Sequence, residues 1–143
     1  MVPDSDLAVV ILCSDSSAPA LALTSGVLDA VLEEDMPDIR LPALNRAGKT
    51  MQEKGYEQAL AEWHELKEGT PSRYDFGVDR FRRYGCIALD FQRVEDADGI
   101  VRLAIDVLSE PDLEMLHEVT EIYLAGHPDN PAAQRAVSLL RNR

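Results

Sequence analysis

Alternating hydrophobic residues between Cys86 and Leu108 constrain the fold more than any other feature of the sequence. The first run places Ile87, Leu89 and Phe91 at every second position, and the second does the same with Val101, Leu103, Ile105 and Val107. Period-two alternation puts these side chains on one face of a β-strand. The intervening Asp98-Gly99 pair suits a tight reversal, because glycine accepts positive φ. The segment therefore predicts an antiparallel hairpin over about 86–108 with one apolar face.

A second strand is predicted at Leu7–Cys13, a short apolar run rich in β-branched residues. Such a run suits a strand that is buried on both faces and central in its sheet. We expect an α+β fold in which a small mixed β-sheet, with a central strand at about 7–13 and the hairpin at about 86–108, is covered by about four helices. The strand-loop-helix order at the start keeps an α/β three-layer sandwich open as the alternative. A length of 143 residues fits a single domain spanning 1–143.

Four helices are predicted from apolar residues at three- and four-residue spacing. The first runs from Ser17 to about Asp35, the second from about Asn45 to Glu68, the third from Ser109 to Gly126, and the last begins at Asn130-Pro131. The inward-facing residues are Leu113, Leu116, Thr120 and Tyr123 in the third helix and Ala133, Ala136, Val137 and Leu140 in the last. Ser109 and Asp112 have the spacing of a capping box.

The net charge of −12 is distributed unevenly along the chain. Residues 1–39 contain eight acidic residues and no Lys or Arg, and residues 95–122 contain nine acidic residues and one Arg. This balance argues against nucleic-acid binding, which needs clustered cations, and favours a basic protein partner. The candidate binding residues in these segments are Glu33, Glu34, Asp35, Asp96 and Asp98.

A pocket at the end of the first predicted strand is the alternative site, formed by Cys13, Asp15, Ser16 and Ser17. Ligands gather at the carboxyl ends of strands in open α/β sheets, and a helix N-terminus stabilises a thiolate or an anion. The loop lacks the glycines of a phosphate-binding turn, and Asp15 would repel an anion. This junction would serve a small-molecule-binding domain or a small enzyme.

No complete catalytic or metal-binding set of residues is present in the sequence. Glu114 and His117 form one Glu-x-x-His motif with Glu121 one turn further on, whereas di-metal carboxylate proteins use two such motifs. We therefore predict no metal and no cofactor. The preferred interpretation is a non-catalytic acidic interaction module, either an adaptor or an immunity- or antitoxin-like neutraliser, with homo-oligomerisation left open.

The cysteine content and the absence of a long apolar run bear on the compartment. The two cysteines, Cys13 and Cys86, make no disulfide framework and are interpreted as reduced thiols. No apolar run approaches the ~20 residues that a membrane span requires. The sequence therefore predicts a cytoplasmic protein with no membrane segment.

Overall fold

The computed structural model describes Val27 and residues 40–143, and this part of the chain is mostly helical. Helical residues make up 81% of it, with a two-stranded parallel sheet as its β-structure. The predicted sheet covered by four helices is therefore wrong, and so is the three-layer alternative. The predicted central strand at 7–13 and the first predicted helix lie outside the described residues, apart from Val27, which is helical.

Six α-helices follow one another in the described part. They are α1 (Ala43–Lys54), α2 (Tyr56–Gly69), α3 (Val78–Asp90), α4 (Val94–Val107), α5 (Glu110–Gly126) and α6 (Pro131–Arg141). The two strands are β1 (Leu41–Pro42) and β2 (Tyr74–Asp75), and a short 3-10 turn (Pro71–Arg73) precedes β2. Leu41 pairs with Tyr74, so that the chain entering α1 runs parallel to the chain leaving α2.

Gly55 divides the predicted second helix into α1 and α2. Its φ of 91° lies in a region that glycine adopts without the steric cost of a Cβ atom. The Gly55 amide donates to the Met51 carbonyl at 3.0 Å and thereby closes α1. The two helices pack on each other as a helical hairpin.

The predicted hairpin over 86–108 is instead the second half of α3, a three-residue connection and α4. Ala97, Val101 and Ala104 are buried at helical spacing, whereas Phe91 is 70% exposed. The strand prediction was wrong because it assigned Ala88 and Ala104 to the polar face, whereas both are buried apolar residues. Once alanine counts as apolar, the same residues follow a period of 3.6.

The connection between α3 and α4 is a Schellman motif. The Arg93 amide donates to the Ala88 carbonyl at 2.8 Å, and the Gln92 amide donates to the Leu89 carbonyl at 3.0 Å. Gln92 takes the left-handed conformation, with φ of 53°, where most such motifs have glycine. The predicted turn pair Asp98-Gly99 lies inside α4 and reverses nothing.

The third and fourth predicted helices are confirmed as α5 and α6. Leu113, Leu116 and Thr120 are buried as expected, and Tyr123 is half-buried. The predicted capping box is not formed, since the Ser109 hydroxyl donates to the Asp112 carboxylate at 2.6 Å and caps no backbone amide. Asn130 does cap α6, because its Oδ1 accepts from the Ala133 amide at 3.0 Å.

One hydrophobic core joins the α1–α2 hairpin to the other four helices. The indole of Trp63 on α2 meets the ring of Phe81 on α3 with 5.3 Å between centroids, and it meets Phe76 edge-on at 5.1 Å. Trp63, Phe81, Leu103 and Leu140 are the largest fully buried side chains. No helix in the described residues is long and apolar enough to cross a membrane.

Candidate functional site

Most of the residues singled out from the sequence fall outside the described part of the chain. These are Glu33, Glu34 and Asp35 of the acidic segment and Cys13, Asp15, Ser16 and Ser17 of the alternative pocket. Their roles stay predictions.

The two predicted binding residues that the structure describes, Asp96 and Asp98, lie at the start of α4. Asp96 accepts from Arg93 at 3.1 Å, and Asp98 pairs with both Arg102, at 2.5 Å, and Arg135, at 2.6 Å. These carboxylates are held by the protein's own arginines, and Asp98 joins α4 to α6. Their negative charge is therefore largely neutralised before any partner arrives.

The last residues of the chain neutralise two further carboxylates on α5. Arg141 lies 2.7 Å from Glu121, and Arg143 lies 3.0 Å from Glu110. The hydrogen bond from Arg141 lowers the pKa of Glu121 below its usual range. The edge of α5 nearest these arginines thus carries paired charge.

The solvent side of α5 carries two carboxylates for which the described residues provide no partner. Glu114 and Glu118 are exposed, and the structure gives them no hydrogen bond or ion pair within its described residues. They lie one helical turn apart, so that both project from the same face. Two like charges at this spacing cost a few tenths of a kcal/mol in helix stability.

Two large apolar side chains lie beside these carboxylates. Met115 is 45% exposed and Ile122 is 66% exposed. A separation of seven residues places them on one stripe, two turns apart. We call Glu114, Met115, Glu118 and Ile122 the α5 outer face. An exposed apolar pair bordered by charge makes this face a candidate binding surface.

The outer face of α2 offers an instructive comparison. It also carries exposed carboxylates without ion partners in the described structure, Glu65 and Glu68. No large exposed apolar residue of α2 accompanies them within that part of the chain. Within residues 40–143, exposed carboxylates therefore do not distinguish α5 from α2, whereas the neighbouring apolar stripe does.

His117 does not form a metal site with its neighbours. Its Nε2 lies 3.4 Å from the Glu121 carboxylate, which Arg141 already occupies. No group of three or more His, Cys, Asp or Glu residues is placed to hold a metal ion in the described part of the chain. The single Glu-x-x-His motif is thus an ordinary helix surface here.

Cys86 on α3 is a free, half-buried thiol beside Asp90. Burial raises the pKa of the Cys86 thiol, and the Asp90 carboxylate raises it further. A thiol that stays protonated at neutral pH is a weak nucleophile. The Asp90 carboxylate instead accepts from the Tyr123 hydroxyl at 2.8 Å, which ties α3 to α5.

A groove of about 440 Å³ lies between α1 and the start of α4. Apolar residues such as Met51 and Ile100 line it, and Arg93 and Asp96, which pair with each other, stand at its rim. Its polar residues Asn45 and Tyr84 already take part in interactions. Among the described lining residues, these groups form no acid–base or nucleophile–base pair.

Comparison of the chain with protein-family models, with curated proteins and with solved structures found no match. The candidate site therefore rests on the residues and geometry described above.

Sequence reasoning missed Met115 and Ile122. It identified the buried side of this helix correctly, yet it did not ask which apolar residues that assignment left over. Met115 and Ile122 are separated by seven residues and fall opposite Leu113 and Leu116 on the helix. Apolar residues on the side of a helix opposite its buried face indicate an exposed apolar stripe, and this pattern can be recognised in the sequence.

Proposed function

We propose that this protein is a non-catalytic, acidic interaction module of the cytoplasm that binds a basic protein partner. The observation that carries the proposal is the α5 outer face, where free carboxylates lie directly beside exposed apolar side chains. Burying the apolar side chains against a partner would stabilise the complex, and the carboxylates would favour a partner of opposite charge.

The use of the protein's own cations supports this proposal. Within the described residues, at least nine of the 14 Lys and Arg side chains make ion pairs with carboxylates of the same molecule. Since acidic residues outnumber basic ones by 12, the carboxylates that remain dominate the external field. Such a field raises the rate at which a cationic partner is captured.

The chemistry of the described residues favours binding over catalysis. Cys86 has a raised thiol pKa, and the metal-like motif around His117 is occupied by an ion pair. An interaction module needs neither group. The cytoplasmic assignment is part of the proposal and follows from interpreting both cysteines as reduced thiols.

Affinity capture tests the proposal directly. The full chain is immobilised and exposed to native cell extract at low and at moderate salt, beside an unrelated folded protein of equal net charge. We expect a basic protein that the control does not retain, with an association rate that falls steeply as salt rises. Recovery of no such protein, or an association rate equal at both salt levels, would contradict the proposal.

A further inference from the structure

We infer that the α5 outer face is a docking surface for a basic amphipathic helix of another protein. This inference rests on the proposed function and deepens it, because it names the surface and the form of the partner. The helix would lie along α5, whose 17 residues span about 25 Å.

The spacing on α5 defines what the partner presents. Met115 and Ile122 are two turns apart, about 10 Å along the helix axis. A partner helix with apolar residues seven positions apart repeats this distance and packs against both. A partner in extended conformation has a different spacing between the side chains on one face, so it cannot pack equally well against both Met115 and Ile122.

The charges on α5 define the border of the partner's apolar stripe. Glu114 and Glu118 are one turn apart and have no ion partner among residues 40–143, so Lys or Arg residues four positions apart on the partner can pair with both. Towards α6, Glu110 and Glu121 already hold Arg143 and Arg141. Attraction for a cationic helix therefore comes from Glu114 and Glu118, which lie between these paired carboxylates and the exposed apolar pair.

Two other occupants fit the α5 outer face less well. A second copy related by two-fold symmetry would bring Glu114 and Glu118 against the same carboxylates, and like charges repel. Residues 1–39 of the same chain contain eight acidic residues and no Lys or Arg, so they do not complement the surface either. A basic amphipathic segment of a different protein can pack against the apolar residues of the α5 outer face and also pair with its carboxylates.

A defined peptide tests the surface without requiring the natural partner. The probe is a synthetic amphipathic helix with leucines at seven-residue spacing bordered by lysines, and the control is the same composition in scrambled order. Each is titrated into the full-length, isotope-labelled protein while backbone amide shifts are followed by NMR. We expect the amphipathic peptide to shift amides along α5 and to bind about tenfold more tightly than the scrambled one.

Variants separate the apolar from the charged contribution. Ile122→Ser removes an exposed apolar group, and we expect it to weaken peptide binding about tenfold. The pair Glu114→Gln and Glu118→Gln should slow association severalfold at low salt. The matched control, Glu65→Gln with Glu68→Gln on α2, removes the same charge without an apolar neighbour and should leave the affinity unchanged. All these side chains are exposed, so circular dichroism should show parental helix content in every variant.

The outcomes discriminate this inference from the proposed function. Shifts spread evenly over α2 and α5, or equal affinities for Ile122→Ser and the parent, would overturn the inference. If the chain captures a basic protein from extract but the α5 variants retain it equally well, the docking surface is wrong and the proposed function stands. If the peptide binds α5 in the expected way but no basic protein is captured, the surface stands and the proposed function fails.

Discussion

Gly99 of α4 packs so closely on Met51 of α1 that a Cβ atom at position 99 would overlap the methionine sulfur. This contact joins the α1–α2 hairpin to α4 at the edge of the groove. Glycine costs helix propensity at this position, but its lack of a Cβ atom allows α1 and α4 to approach more closely.

Replacing Gly99 by Ala tests this contact. Ala gains about 1 kcal/mol of helix propensity over Gly, but the half-exposed Met51 side chain must shift to make room for the new methyl group. We expect Gly99→Ala to raise the free energy of unfolding less in the parent than in a Met51→Ala background, where the space is open. Gly48→Ala is the control, because Gly48 is helical and has open space at its Cβ position. Urea unfolding measures all four variants, and an equal stabilisation by Gly99→Ala in both backgrounds would disprove the steric contact.

Asn130 supports two elements with one side chain. Its Oδ1 caps α6, and its Nδ2 donates to the Leu89 carbonyl of α3 at 2.8 Å while the residue is only 7% exposed. Asn130→Ala loses both bonds and should cost about 2–3 kcal/mol of unfolding free energy. Asn130→Ser keeps a good cap but cannot reach Leu89, so it should cost roughly half as much. A Ser variant as stable as the parent would show that the bond to α3 contributes nothing.

Gln92 holds a left-handed conformation that glycine adopts more readily. Gln92→Gly should therefore raise the free energy of unfolding by up to about 1 kcal/mol, even after the greater entropy of the unfolded chain is included. The same substitution at Gln52, inside α1, should lower it by about 0.5–1 kcal/mol. Thermal unfolding of the two variants compares them directly. If both are destabilised, the Schellman motif between α3 and α4 is misplaced.

Asp75 links stability to acid pH. Partial burial by itself would raise the pKa of Asp75, but the Gly77 amide at 2.9 Å and Arg80 at 2.6 Å lower it below its usual value. A lowered folded-state pKa stabilises the fold above the ordinary value of about 3.9, and the contribution is lost as pH falls through the folded-state pKa.

We therefore expect Asp75→Asn to be less stable than the parent at neutral pH, with the difference narrowing as the solution becomes more acidic than the ordinary carboxyl pKa. Denaturant unfolding across that range measures the difference. Asp79→Asn, which removes an exposed ion pair with Arg82, serves as the control and should follow the parent closely. A difference for Asp75→Asn that is constant with pH would exclude this linkage.

The acidic segment around Glu33, Glu34 and Asp35 predicts a kinetic effect on partner capture. Charges at the rim of an interface act mainly on the association rate. Neutralising all three residues should slow association with the captured basic partner severalfold at low salt and change dissociation little. Surface plasmon resonance measures both rates. An unchanged association rate would remove this segment from the binding surface.

The sequence allowed the C-terminal half of the fold to be predicted where helix signals agree with one another. In α6, the capping Asn130, the following Pro131 and the buried alanines all favour the same element, and the structure confirms it. In α3 and α4 the signals conflict, because β-branched residues alternate while alanines complete a helical stripe. Local pattern could not decide between them, since the deciding contacts, such as Gly99 with Met51, are distant in sequence.

The candidate site was predictable only in part. Net charge identified the acidic segments of the sequence, but it could not show that Asp98 is shared by Arg102 and Arg135. Pairing of this kind depends on how α4 and α6 pack, and composition carries no such information. The exposed apolar pair on α5 was accessible from spacing alone once the buried face was assigned.

The ion pairs from Arg141 and Arg143 make the exposed surface of α5 change in character around the helix. The carboxylates that hold these arginines lie towards α6, Glu114 and Glu118 come next, and the exposed Met115 and Ile122 lie furthest from α6. A positively charged helix that slid across α5 towards α6 would meet like charge and lose its contact with Ile122. If a cationic helix binds α5 as proposed, we expect the two C-terminal arginines to limit how far it can shift towards α6.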